Sequence, residues 1–320
     1  MIRWRFTPDD VARIRFAFSP LNELVLSLIV VRAPERHSLH LPWVRATRPR
    51  LSDLDLSEVF ALVPLRGDTA DFLTPPPTSP LPDFSSELEL VRRMPPDRVV
   101  AELAEIHQLA APIADRIRAD PEAAISRIAD TLQAYWDIAL AEHWPLIHAL
   151  LEADVLWRSR RLATGGARAL FEDLHETITW HGEWLSATDP HDHSGALSGE
   201  GLLLTPCTMA WPTVRKMIEP YQPTITYPPR GIATLWQTGP APTPHALAAL
   251  IGRTRAAMLI ALAEPISTTT LAQRLSITTG AVSQHLSVLL DCGLVTRSRV
   301  GRSVLYRRTR SGDTLAAATR

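Results

Sequence analysis

Between residues 266 and 310 the sequence sets out two short amphipathic segments and a hairpin, and that order constrains the fold more than any other feature. Ser267-Thr-Thr-Thr-Leu-Ala-Gln-Arg-Leu-Ser offers cap hydroxyls at Ser267 or Thr268, then places Leu271 and Leu275 four apart on one helical face. After a break, a second helix starts at Thr278 or Thr279, runs to 291 and turns Val282, Leu286 and Leu289 inward. The same spacing turns Thr279, Gly280, Ser283, Gln284 and Ser287 outward, with His285 near the boundary. Gly293 suits a left-handed stop. Two β-prone runs over 294–308 then flank Gly301, which predicts a wing with Arg299 and Arg302 at its tip. Helix, turn, helix and hairpin make a winged helix-turn-helix. A further helix is expected upstream, from Thr243 as cap and Pro244 through Leu247, Leu250, Ile251, Met258, Leu259 and Leu262 to a stop at Pro265.

Charge points to the partner of this module. From His245 onward there are ten arginines and three acids, a local +7, which leaves −8 for the residues before it although the whole chain carries only −1. A basic module of this kind is the electrostatic footprint of a polyanion binder, and double-stranded DNA is the partner expected. Small polar residues at the N-terminal end of the second helix are what major-groove reading requires, with Gln284 the best base reader. Arg297, Arg299, Arg302 and Arg307 are placed to grip phosphates or a narrow minor groove.

The motifs Thr268-Thr-Thr-Leu-Ala-Gln-Arg-Leu, Gly280-Ala-Val-Ser-Gln-His-Leu-Ser-Val-Leu, Cys292-Gly-Leu-Val and Gly301-Arg-Ser-Val-Leu-Tyr resemble the ArsR-type (arsenic-repressor-like) winged-helix regulators. That resemblance implies a repressor acting as a homodimer, with Ser283, Gln284 and His285 at DNA-reading positions, Thr268 on the supporting helix and 299–302 as the wing. The chain departs from the metal-sensing members. It has Thr270-Leu-Ala-Gln where they carry paired cysteines, and after Ser311 only Asp313 could serve as a metal ligand, so no metal cofactor is expected. The residues after 310 read as a short tail without the family's long last helix, which moves dimerisation to 243–263 or to the N-terminal part. More loosely, Phe18-Ser-Pro-Leu-Asn-Glu-Leu, His37-Ser-Leu-His-Leu-Pro-Trp and Asp71-Phe-Leu-Thr-Pro-Pro-Pro resemble an N-terminal domain of unknown function that precedes this module in actinobacterial regulators.

Proline clusters over 74–82 and 220–244 mark seams, since proline removes a donor and disfavours helix before it. They predict an N-terminal domain over 1–240, with a subdivision near 74–82, then the winged helix over 243–310 and a tail over 311–320. A first strand at Ile2–Phe6, a helix from Thr7-Pro8 and another from Asn22 to Arg32 should open the chain. Residues 85–187 read as mainly helical, Ile128, Leu132, Tyr135, Trp136, Ala139 and Leu140 recurring at helical spacing. Short β-prone runs at 202, 224 and 232 predict a small antiparallel sheet. The fold class expected is mainly α with small β elements (α+β).

The function classes excluded are as informative. The longest apolar stretch, Leu24–Val31, is far short of a membrane span, and no secretory start is legible, so a cytoplasmic protein is expected. Two cysteines, Cys207 and Cys292, rule out a disulfide framework, and Cys292 reads as a buried or half-buried thiol. His191-Asp-His193 reads as a solvated loop, and His175 and His181 share no helical face. No phosphate loop, nucleophile elbow or zinc-protease motif is present, so no catalytic residue is named. Trp136, Trp144, Trp157, Trp180 and Trp184, with Trp211 and Trp236, suggest either core or an aromatic cavity for a small apolar effector. An enzyme body or an interaction scaffold joined to a DNA-binding module is the alternative.

Overall fold

In β1 (Ile2–Arg5) buried Ile2 and Trp4 alternate with exposed Arg3 and Arg5, as expected of a strand with one covered face. The structure is a computed structural model that describes residues 1–106, 109–236, 244–262, 266–275, 277–300 and 303–317. It divides into two compact units, 1–236 and 237–320. Helix α1 (Pro8–Ala12) follows β1 with a full capping box: Asp10 N donates to Thr7 Oγ1 (3.2 Å) and Thr7 N donates to Asp10 Oδ2 (2.8 Å). The other oxygen of Asp10 accepts from Gly199 N at 2.8 Å, which anchors the helix start to a loop distant in sequence.

After β2 (Arg15–Phe16), α2 (Pro20–Arg32) is capped by Ser19 and is buried from Pro20 through Val31. A helix apolar on every side must be surrounded. Its Glu23 is wholly buried, yet its carboxyl accepts from Thr208 N (2.5 Å), Thr208 Oγ1 (2.7 Å) and Met209 N (3.0 Å). Burial pushes the Glu23 pKa up against the pull of those donors. Helices α3 (Leu41–Thr47), α4 (Ser57–Leu62), α5 (Phe84–Arg92), α6 (Pro96–Leu103), α7 (Ala111–Ala119) and α8 (Pro121–Ala139) build the helical layer. Helix α8 buries Ile128, Leu132, Tyr135, Trp136 and Ala139 as its periodicity predicts, and the Tyr135 hydroxyl meets Ser27 Oγ of α2 at 2.9 Å.

The helical reading of 85–187 holds through α9 (Trp144–Phe171), itself broken at Gly166 where φ is +66°. Beyond it the expectation fails. Residues 178–187 form a hairpin of β3 (Ile178–His181) and β4 (Trp184–Ala187) turning at Gly182. Ile178 and Trp180 on one strand and Leu185 and Ala187 on the other recur with period two, a signal hidden in the sequence by the longer helical stretch before it.

Two sheets result. The first has the order β3-β4-β1-β5, with β5 (His193–Ala196) parallel to β1 and the other pairs antiparallel. The second has the order β2-β6-β8-β7, comprising β6 (Leu203–Pro206), β7 (Arg215–Met217) and β8 (Thr224–Tyr227). Here β2, β6 and β8 are parallel and only β7 is antiparallel, so the sheet is mixed where an antiparallel one was expected. The stretch between β6 and β8 is long enough to return the chain for parallel pairing. Residues Ile232–Thr234, expected in a strand, form a 3-10 turn after Gly231. Wholly buried Asp154 joins α9 to β8, accepting from Arg158 Nε (2.9 Å), Tyr227 OH (2.9 Å) and Arg230 N (3.0 Å). The class is α+β.

Glu87 of α5 supports the start of α2, its Oε2 accepting from Leu21 N (2.9 Å) and Ser19 Oγ (3.1 Å), while its Oε1 has no partner among the described residues. Burial pushes its pKa up to about 8 from 4.5. A carboxyl raised in the folded state contributes stability at low pH that is lost as pH climbs from 4.5 to about 8. Glu87→Gln is expected to flatten denaturant stability across that window, gaining about 2 kcal/mol over wild type at its alkaline end. Parallel pH profiles of the two proteins would contradict it.

Candidate nucleic-acid interface

The unit after Trp236 builds its core from Leu247, Met258, Leu259, Leu262, Leu271, Val282, Leu286, Leu289 and Val295, and the spacing had placed all but the last of these on inward faces. The single helix expected over 243–264 is two, α10 (Pro244–Ile251) and α11 (Arg253–Ala261), parted at Gly252 with φ +86°. Thr243 and Pro265 lie outside the described residues. Leu250, one of the apolar residues through which the single helix was expected to run, is 72% exposed. Strand β9 (Ile266–Ser267) leads into α12 (Thr268–Leu275), where Ser267 Oγ accepts from Thr270 N at 3.2 Å. Helix α13 (Thr279–Asp291) is capped by Thr278, whose Oγ1 accepts from Ala281 N at 3.2 Å. It ends in a Schellman motif, Gly293 N donating to Leu290 O (2.8 Å) and Leu294 N to Leu289 O (2.9 Å), with Gly293 at φ +67°.

Strands β10 (Val295–Val300) and β11 (Ser303–Arg308) form the wing ribbon, and β9 extends it along β11. The tail, expected to lack a long last helix, contains the short α14 (Arg310–Ala317). Thr309 starts it, its Oγ1 accepting from Gly312 N at 3.2 Å. A Cβ at Gly312 would stand 2.0 Å from Leu294 O, so only glycine admits so close an approach.

The outward positions form one surface. Thr279, Gly280, Ser283, Gln284 and Ser287 are exposed on α13, while His285 and Thr268 are half-buried. Ser283 Oγ donates to Thr279 O (3.0 Å) and Ser287 Oγ to Ser283 O (3.1 Å), so both hydroxyl protons are engaged and their oxygens remain acceptors. The Gln284 amide has no partner among the described residues and can donate and accept at once. Free N–H groups at the start of α13 add a positive end to this surface. The wing is less unified than expected. Register pairs Arg297 with Tyr306 and Arg307 with Thr296, which sets these two exposed arginines on opposite faces of the ribbon. The side chains of Arg299 and Arg302 lie outside the described residues. Arg274, exposed in the last turn of α12, was not singled out, its only signal being the local excess of arginine. Cys292 is exposed at the end of α13 rather than buried.

Residues 251–303 match the model of the MarR family, and residues 6–112 match a family of unknown function (DUF5937). No curated protein and no solved structure matches the chain. The C-terminal match supports a DNA-binding transcriptional regulator of the winged-helix class, whereas the ArsR-type branch is not the one matched. Among the described residues no helix is long and apolar enough to cross a membrane.

The N-terminal unit contains a cavity of about 850 Å³, but no tryptophan lines it. Of the two roles open to the tryptophans, core and cavity wall, the contacts described are packing ones. Trp136 stacks on Phe84 with centroids 4.3 Å apart, Trp180 stacks on Phe171 at 5.4 Å, and Arg230 lies 3.7 Å over Trp157.

Gly312→Ala is expected to loosen the winged helix by about 1–3 kcal/mol through overpacking against Leu294. Amide exchange over 253–317 should quicken while the tryptophan unfolding transition stays put, because all nine tryptophans lie at or before 236. Unchanged exchange would mean the Leu294 carbonyl can move aside.

Proposed function

We propose that the protein is a homodimeric repressor whose two copies of α13 read half-sites in the major groove through Thr279, Gly280, Ser283, Gln284, His285 and Ser287. The observation that carries this reading is the exposed, unpartnered Gln284 on a capped second helix whose opposite face is fully used by the core. Thr268 supports the approach from α12, and Arg297, Arg299, Arg302 and Arg307 hold phosphates. Because Arg297 and Arg307 occupy opposite faces, the reading requires the ribbon to lie edge-on between two runs of phosphates. The ArsR-type likeness and the MarR match differ in branch but share the module, which is all this reading needs. Exposed Leu250 and Ile260, at 72% and 43%, favour dimerisation through α10 and α11. The unit over 1–236 serves as the sensor, its cavity being large enough for a small molecule.

A catalytic body is the second reading, favoured by polar side chains around that cavity and by Asp71, whose carboxyl burial pushes up to about 7. Binding is the better fit. No serine or cysteine lines the cavity, and both ring nitrogens of His175 are engaged, by Thr177 and by the Pro212 carbonyl.

The test is binding to a duplex selected by the protein from a randomised pool. Gln284→Ala is expected to cost about 1–3 kcal/mol on the selected duplex and nothing on an unselected one. Arg297→Ala and Arg307→Ala should instead weaken both equally, each lowering the salt slope by about one. Equal losses from Gln284→Ala on both duplexes would remove it as a base reader.

A further inference from the structure

The cavity of the N-terminal unit is walled by one face of the β7–β8 pair. Register sets Arg215 opposite Thr226 and Met217 opposite Thr224, and all four line it. Asn22 and Leu26, one turn apart on α2, line it as well. Among the described residues the guanidinium of Arg215, the hydroxyl of Thr226 and the amide of Asn22 have no protein partner. Thr226 and Asn22 are only 5% and 6% exposed. Arg215 is half-buried, and these three groups face the cavity, where a ligand can reach donors and acceptors that the protein leaves unused. Burial draws the Arg215 pKa down, with Asp68, Cys207 and Asp189 pulling the other way.

The surrounding charges define what is missing. Lys216, the only lysine in the sequence, is engaged with Asp189 Oδ2 (2.6 Å) and the Thr188 carbonyl (3.1 Å), so each neutralises the other. Asp68 stands beside His191, 3.6 Å away, and Asp71 is held near half-protonation at neutral pH. Among the described residues two lining arginines are left without an ion pair, half-buried Arg215 and exposed Arg66, and Arg215 shares its wall with Leu26 and Met217. A guanidinium fork matches a carboxylate with two parallel hydrogen bonds. A phosphate dianion would bring a second charge into a lining where Asp68, Asp71 and Glu176 outnumber Arg66, which disfavours it.

We propose that this cavity binds a small organic acid, its single carboxylate held by Arg215, Thr226 and Asn22 and its apolar body lying against Leu26 and Met217. That the acid is the effector of the regulator rests on the function proposed above; that it binds does not.

The test is calorimetry on the full chain with hexanoate, phenylacetate, their amides and phenyl phosphate. At least one acid should bind, with its amide at least about tenfold weaker and phenyl phosphate no tighter. Arg215→Met should weaken acid binding by at least about tenfold and leave the melting temperature of the ligand-free protein unchanged or higher, since the half-buried guanidinium makes no hydrogen bond or ion pair among the described residues. A guanidinium with a structural role would lower that temperature instead. Thr226→Val should keep the fold and weaken the acid. The proposal is overturned if no acid binds, if amides bind equally, if phenyl phosphate binds tighter, or if Arg215→Met binds as wild type does. Adding the acid to the complex with selected duplex separates the two claims. A shift in DNA affinity makes the cavity an effector site, whereas tight acid binding with unchanged DNA affinity leaves the site standing and ends its role as sensor.

Discussion

The buried carboxyl of Glu23 fixes the geometry of residues 1–236. Helix α2 has no solvent face, so its position is set by what it packs against and by its buried polar groups, of which Glu23 is the one ionisable side chain. The backbone N–H groups of Thr208 and Met209 and the Thr208 hydroxyl supply that satisfaction from the turn just after β6. Helix and mixed sheet are thereby locked in register, which sets Asn22 and Leu26 across from Arg215 and Thr226 around one cavity. Asp154 does the same for α9 and the end of β8. Leaving either carboxyl without its donors would cost several kcal/mol, more than any exposed ion pair of this protein could return.

The winged helix follows a different logic. Among the described residues it buries few polar groups, and it is held by caps and stops: Thr278 and the Schellman turn at Gly293 bound α13, and Thr309 with Gly312 seats α14 on Leu294. With Val282, Leu286 and Leu289 committed to the core, the face left for solvent is the polar one bearing Ser283, Gln284 and Ser287. The same short helix thus serves folding with one side and recognition with the other.

Much of this was legible in the residues. The helix start at Thr7-Pro8, the stop at Gly293 and the inward leucines of α12 and α13 are local signals, and local signals survive folding. What escaped depends on distant partners. The β3–β4 hairpin follows a long helix whose periodicity masks it, and the parallel pairing of β6 with β8 is decided by how the chain returns. The break between α10 and α11 falls at Gly252, whose positive φ the apolar spacing on either side does not announce. Gly312 hid a helix because its role is a close approach to Leu294. The tryptophans suggested a pocket, but large rings are in demand wherever helices meet, and the cavity formed instead where Arg215, Thr226 and Asn22 converge from separate elements.

The measurement that bears most directly on the regulator is binding of the full chain to a selected duplex and to its scrambled counterpart, titrated across a salt series. The expected result is a preference of at least about a thousandfold for the selected duplex, with affinity for both falling steeply as salt rises. Weak binding that is equal on the two duplexes and insensitive to salt would contradict a DNA-reading role for α13 and the wing.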